Sequence, residues 1–418
     1  MSLKPPVAGA LVVGGAHVSI AVARSLGRQG VPVWLLANHP IPTYSRYVER
    51  SFDWPGADHP AGVSSIIDVA TKYDLKDWVL IATGDQDMQM IAKNHALLSA
   101  HFRVATPDWN TIQWIYDKRL TYQRAAELGM DFPQSFQPQG LDEVMRLDCR
   151  FPVILKPAFR KSADEFTQAK AWKADDRDTL VALYKRAAAL VGASAVIVQE
   201  WVPGTGTSQF SYATLCDRGQ PVASLVARRT RQLPIDFGRS STFVESVERP
   251  EVEELAGRFL KSLNYTGVAE IEFKHDARDG QYKLLDVNGR FWTWHGLGAL
   301  AGVDFPYLAW RQATGQSVTP CRGRPGVAWM HASHDIVAAY REIRRGTLTV
   351  GGYLKSLYQP MTFAAFALDD PMPGLVELPV AAWNRISNAW AAQPASPPAP
   401  NSVRQSPAVA PVRPDRAR

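Results

Sequence analysis

The chain has 418 residues, 46% hydrophobic and 21% charged, which suits two or three packed units with a large buried core. Its net charge of +6 is modest and owes part to Arg404, Arg413, Arg416 and Arg418, so no nucleic-acid footprint is read from it; anionic small molecules explain basic pockets equally well. Three cysteines (Cys149, Cys216, Cys321) have neither metal-ligand nor disulfide spacing, and no run of eighteen apolar residues occurs, so a soluble cytoplasmic protein is expected.

In chain order, Ala10–Val13 reads as a strand, Gly14-Gly15 as a tight turn and residues 18–29 as a helix ended by Gly30. This start reads as a strand and turn, not as a signal peptide. Residues 31–37 form the next strand, and 78–82 another, running into Thr83-Gly84-Asp85 and a helix to about Ser99. Such alternation implies a parallel sheet with ligands at the carboxyl ends of its strands. A helix is expected at 117–128, a buried strand at 151–156, an amphipathic helix at 178–191 and a strand at 195–202 ended by Pro203-Gly204. From about 211 to 291 strands dominate, apart from a helix near 251–263, giving an α+β mixture. Residues 316–388 hold one helical stretch, 335–345. Beyond Trp390 the composition turns to Ala, Pro, Ser and Gln, and 391–418 is expected to be a disordered tail. Truncation after Trp390 should therefore leave turnover and melting temperature unchanged, as activity assay and calorimetry would show.

The Gly14-Gly15 turn lacks the three-glycine spacing of a dinucleotide fingerprint, and the strand at 31–37 ends in Asn38 rather than an acid. It is read as a βα turn needing small residues, with a helix N-terminus able to hold an anionic substrate group.

The strongest pattern is a carboxylate-bearing hairpin. Gly267-Val268-Ala269-Glu270-Ile271-Glu272-Phe273-Lys274 and Tyr282-Lys283-Leu284-Leu285-Asp286-Val287-Asn288 both alternate as strands do, joined through Arg278-Asp279-Gly280. A three-residue loop pairs Ala277 with Gln281, which sets Glu272 opposite Asp286, with Asn288 further along the same face. Ile271, Phe273, Leu285 and Val287 are expected on the buried face. Two opposed acids destabilise a sheet unless a cation lies between them. Oxygen-only ligands point to magnesium or manganese. Arg290, on the acidic face, supplies a cation for developing phosphoryl charge.

As an ordered series over residues 8 to 315, these motifs resemble the ATP-grasp superfamily, chiefly its carboxylate–amine ligases of the D-aspartate ligase type, and more distantly biotin carboxylase and carbamoyl-phosphate synthetase. The resemblance implies α/β followed by α+β: a Rossmann-like pre-ATP-grasp domain (1–108), a two-lobed ATP-grasp domain (109–315) with a mobile lid at 150–202, and a C-terminal region (316–390) packed on the core. It implies that Lys118 and Lys156 bind ATP phosphates, and that Gln199, Glu200 and Val202 form the hinge strand whose main-chain groups at Glu200 and Val202 bond adenine. Glu272, Asp286 and Asn288 would hold two magnesium ions, and Arg290 would act at the transferred phosphoryl group. The basic segment from Arg228 to Gln232, followed by Asp236-Phe237-Gly238, would face the reaction centre, with Arg231 catalytic and Arg229 on substrate. Gly15 and Asp85 are further substrate-binding candidates. Two features depart from the pattern. A glycine-rich phosphate loop is replaced by Ala158-Phe159-Arg160-Lys161-Ser162-Ala163, and the ribose-binding acid gives way to Thr207, Ser208 and Gln209.

The implied function is ATP-dependent joining of a small-molecule carboxylate to an amine through an acyl phosphate, with ATP and Mg2+ as cofactors and neither nucleic acid nor membrane as partner. Oligomeric state is open, a homodimer being compatible. The alternatives are activation of a one-carbon acid on the same scaffold, a nicotinamide-dependent dehydrogenase built on the Gly14-Gly15 turn, and a non-catalytic nucleotide sensor.

Overall fold

The computed structural model describes residues 8–159, 164–169, 171–235 and 240–391. Among the described residues, the chain divides between Leu378 and Pro379. The division falls within helix Met372–Ala391, at its internal Pro379, which lacks the N–H that a helix interior requires. The expected tail from 392 onward, the phosphate-loop candidates Arg160, Lys161 and Ser162, and Asp236-Phe237-Gly238 lie outside the described residues.

The first unit begins with a five-stranded parallel sheet in the order Arg50–Asp53, Val33–Ala37, Ala10–Val13, Val79–Ala82, Arg103–Val104. Three of these strands are buried along their whole length, as parallel strands covered on both faces require. The strand order reverses between Ala10–Val13 and Val79–Ala82, so the turns at Gly14 and Gly84 open into the crevice where such sheets take ligands. Gly14 has φ +113°, and a Cβ there would lie 2.2 Å from Thr83 Oγ1, so this turn accepts glycine alone.

A four-stranded antiparallel sheet follows, ordered Ser135–Phe136, Val196–Glu200, Val153–Pro157, Trp172–Ala174. Helix Arg177–Val191 packs on it through Leu180, Tyr184 and Ala187. Phe136, Leu141 and Val144 join the same core, so this small lobe starts at Ser135, earlier than the expected 150. The third sheet runs Gln281–Asn288, Gly267–Asp276, Gln209–Asp217, Gln220–Leu233, Ser240–Val247, Ala328–Met330, Met361–Phe363, with Cys321–Arg322 pairing beside Gln220–Leu233. The C-terminal region thus supplies strands to the large sheet.

That region also returns to helix Ala16–Arg28 and the loop at residues 45–47. Arg24 Nε donates to Asp370 Oδ2 at 2.8 Å, and Ser45 Oγ and the Arg46 N–H donate to the same carboxylate at 2.7 and 2.9 Å. Arg28 forms a forked pair with Asp369, which the Tyr47 hydroxyl completes. Arg24 and Asp370 are buried, and removing one partner of such a pair strands the other charge. Among the described residues, no helix is long and apolar enough to cross a membrane.

Candidate active site

Two neighbouring long strands carry the expected metal ligands. Glu272 pairs directly with Asp286, and Asn288 pairs with Glu270. The route to this register differs from the simple hairpin. Asp276, not Ala277, pairs with Gln281, and Gly280 closes a longer loop with φ +73°. The one-residue slip is absorbed by a bulge at Leu285, because Phe273 pairs with Leu284 while Glu272 still meets Asp286. A bulge sends the following residues to the other face. Leu284 therefore enters the core beside Ile271, Phe273 and Val287, and Leu285, expected there, lines the cleft. The Tyr122 hydroxyl donates to the Leu285 carbonyl at 2.9 Å, and the Leu284 N–H donates to Asp131 O at 2.8 Å. Both bonds hold the bulge.

The cleft between the small lobe and the large sheet has a cavity of about 250 Å³, into which Lys118, Lys156, Glu272, Asp286 and Arg290 open. Each metal-candidate carboxylate already meets a cation. Lys118 Nζ contacts Asp286 Oδ1, and Arg229 Nη2 donates to Glu272 Oε1 at 3.0 Å. Gln209 Nε2 holds the other Glu272 oxygen at 2.8 Å. Arg290 Nε binds Asp85 Oδ1 at 2.7 Å and its Nη2 reaches Asn288 Oδ1 at 3.2 Å. Asp85 begins helix Asp85–Lys93 at the carboxyl end of the parallel sheet, so the first domain shares in this site.

Glu270 was not a candidate in the sequence, yet it occupies the same face as Glu272. Asn288 Nδ2 and Trp294 Nε1 both donate to it at 3.0 Å. Burial, reinforced by the Glu272 charge, raises its pKa. Its strand parity with Glu272 was the available signal. Lys274, two residues past Glu272, is a second omission. It is buried, donates to Gly204 O at 3.0 Å and lies 4.9 Å from the Trp201 ring centroid. Burial lowers its pKa to about 8.

Lys156 Nζ reaches from strand Val153–Pro157 to Gln199 Oε1 at 2.8 Å, and the Gln199 amide donates to the Tyr122 and Ser135 hydroxyls. Lys156, Gln199, Glu200 and Val202 all line the cleft. The Glu200 N–H is taken by Gln134 O at 2.8 Å, and its carboxylate pairs with Arg278 at 2.6 Å.

Gly15 and Arg231 do not line this cleft. A Cβ on Gly15 would lie 2.7 Å from His39 Cβ and 2.8 Å from Asn38 Oδ1, so packing against the next loop accounts for that glycine. Arg231 is 1% exposed and forks onto Asp335 at 2.9 and 2.8 Å, 4.0 Å from the Phe243 ring centroid. In a regular strand Arg229 and Arg231 would share a face. The pairing instead skips Thr230 between Arg229↔Val244 and Arg231↔Phe243, and this bulge turns Arg231 away from the cleft. Arg231→Met should lower stability by about 3–5 kcal/mol, since it leaves Asp335 buried without its cation. Urea unfolding would measure this, and nucleotide affinity of the folded protein should be unchanged.

Residues 117–320 match the family described as carbamoyl-phosphate synthase L chain, ATP binding domain. This segment is an ATP-grasp domain. Its bounds take in the small lobe and the carboxylate hairpin. The chain is 24% identical over 230 residues to a D-aspartate ligase of Enterococcus faecium (strain Aus0004), a match covering 51% of this chain and 53% of the ligase. It therefore spans about half the length of that curated relative. The fold recurs in two solved structures, each 14% identical to this chain. The biotin carboxylase domain of Hydrogenobacter thermophilus 2-oxoglutarate carboxylase, solved with MgADP, ADP and bicarbonate, has a TM-score of 0.62 and covers 76% of this chain and 73% of its own. An L-amino acid ligase from Bacillus licheniformis has a TM-score of 0.56 and covers 73% of this chain and 74% of its own.

Proposed function

We propose that this protein is an ATP-dependent ligase that activates a carboxylate as an acyl phosphate and joins it to an amine, releasing ADP and phosphate. The observation that carries this reading is the Glu272–Asp286 pair in the ATP-grasp cleft, each carboxylate matched to a cationic side chain. Lys118 and Arg229 occupy the positions of positive charge that an oxygen-only ligand set demands, so the residues fit Mg2+ held by Glu272, Asp286 and Asn288, with Glu270 behind Asn288. When bound, the ions neutralise phosphate charge and draw the reacting oxygens into line. The relative solved with MgADP supports the same cofactor pair.

On this reading, Lys118 leaves Asp286 for a phosphate, and Lys156 turns from Gln199 to the α- and β-phosphates. Because the Glu200 N–H is already bonded to Gln134, adenine would meet the Glu200 carbonyl and the Val202 N–H. Arg290, held by Asp85 and Asn288, faces the transferring group. Arg229 and Asp85 border the carboxylate substrate. Closure of the small lobe would exclude water from an anhydride that hydrolyses readily.

A phosphate-release screen over carboxylate and amine pairs tests the proposal. Release that requires both substrates supports it, and release with bicarbonate or formate alone would assign the one-carbon alternative. Lys156→Ala should weaken binding of a non-hydrolysable ATP analogue by about 1.5–3 kcal/mol, roughly ten- to hundredfold in Kd, with little change in folding. Calorimetric titration measures it, and an unchanged Kd would return Lys156 to a purely structural role.

A further inference from the structure

A second convergence of donor atoms lies outside the carboxylate cleft. His17 sits in the first turn of helix Ala16–Arg28, His331 directly precedes helix Ala332–Arg345, and Glu377 lies on helix Met372–Ala391. His17 Nε2 is 3.0 Å and His331 Nε2 is 2.5 Å from the same oxygen, Glu377 Oε1. Ser333 Oγ reaches that oxygen as well, at 3.2 Å. The donor atoms of His17, His331 and Glu377 all lie within 4.8 Å of one another. His331 is 3% exposed, whereas the His17 and Glu377 side chains are 16% and 15% exposed, which leaves an entry path.

Two imidazole nitrogens and a hydroxyl converge on one carboxylate oxygen, which has only two lone-pair directions to offer. A cation among the two imidazoles and the carboxylate removes this conflict.

We infer that His17, His331 and Glu377 form a binding site for a divalent ion of the zinc class, with a fourth position open to water or an anion. Two imidazole nitrogens favour such an ion over magnesium or calcium, which take oxygen ligands. Zinc bonds of 2.0–2.2 Å place tetrahedral ligands about 3.3 Å apart. The His17–Glu377 spacing is close to this, and the His331–Glu377 contact opens by about 0.8 Å on binding. The donor set differs in kind from Glu272, Asp286 and Asn288, so ligand chemistry sorts the two metals. The ion clasps the C-terminal segment to the helix that follows the first βα turn, the helix that Arg24 and Asp370 also join to that segment. This inference does not depend on the ligase reading.

The test uses the full chain and zinc alone. After incubation with zinc and desalting, plasma mass spectrometry should find one zinc per chain, retained in excess magnesium, and cobalt should give the visible absorption of a tetrahedral site. His17→Ala and Glu377→Gln should each weaken zinc binding at least about tenfold and abolish the zinc-dependent rise in melting temperature. These two are chosen because the buried His331 is the position whose replacement most endangers folding. No retained zinc in the wild type, or full retention in both variants, overturns the site.

Discussion

Asp286→Asn is expected to remove turnover, by at least about 10³-fold, because a lost metal carboxylate forfeits several kcal/mol of charge stabilisation in the transition state. Glu272→Gln should be equally inactive, but the two variants should differ in stability. Opposed acids read from sequence predict that losing either one relieves repulsion. The structure replaces that expectation, since each acid is already compensated. Glu272 neutralises the Arg229 guanidinium, whose side chain is 8% exposed, while Asp286 meets Lys118 at 22% exposure. Removing Glu272 strands a buried cation, whereas Lys118 can turn toward water. Asp286→Asn should therefore melt near the wild type and Glu272→Gln clearly lower, with magnesium-dependent nucleotide binding weakened in both. Calorimetry and a phosphate-release assay separate these outcomes. Normal turnover in either variant would remove the metal assignment.

Arg290→Ala should slow turnover by about 10²–10³, the scale for one preorganised electrostatic donor. Its guanidinium is held from two sides, by Asp85 Oδ1 and Asn288 Oδ1, so its direction is set before substrate arrives. Arg290→Lys should recover only part of the loss, because an ammonium cannot reproduce the fork. The readout is hydroxamate. Hydroxylamine should enter a site shaped for an amine and intercept the acyl phosphate, with ATP, magnesium and the correct carboxylate present but no natural amine. An arginine serving only to pair with Asp85 predicts lower stability with chemistry intact. Hydroxamate at the wild-type rate from folded Arg290→Ala would refute the catalytic assignment, and no hydroxamate from wild type with its true carboxylate would count against the acyl phosphate.

Much of this site could be read before any coordinates. Counting back from an expected three-residue loop placed Glu272 opposite Asp286, a pairing the structure keeps only because the bulge at Leu285 offsets a loop one residue longer. The Gly14-Gly15 turn and the apolar runs around it announced a parallel sheet, and Asp85 was visible as the residue after a strand and a turn. Each is a local signal, carried by residues a few positions apart whose side-chain direction follows from a period of two or from glycine's freedom at positive φ.

Tertiary structure decided the rest. The bulges at Leu285 and Thr230 exchange which residues face the cleft, and so Leu285 entered the site while Arg231 left it. Neither bulge is written in its own strand. One is held by Tyr122 and Asp131, more than 150 residues away in sequence, and the other by pairing with Ser240–Val247. A single inserted residue reverses every side chain that follows, so alternation predicts faces only as far as the first bulge. The partners of the buried ionisable side chains were equally hidden: the cation Arg229 for Glu272, the indole donor Trp294 for Glu270, and the carboxylates Asp335 for Arg231 and Asp370 for Arg24. The sequence shows which residues can carry charge, but burial and approach through the folded chain select the pairs, because only a desolvated charge must find its counterpart.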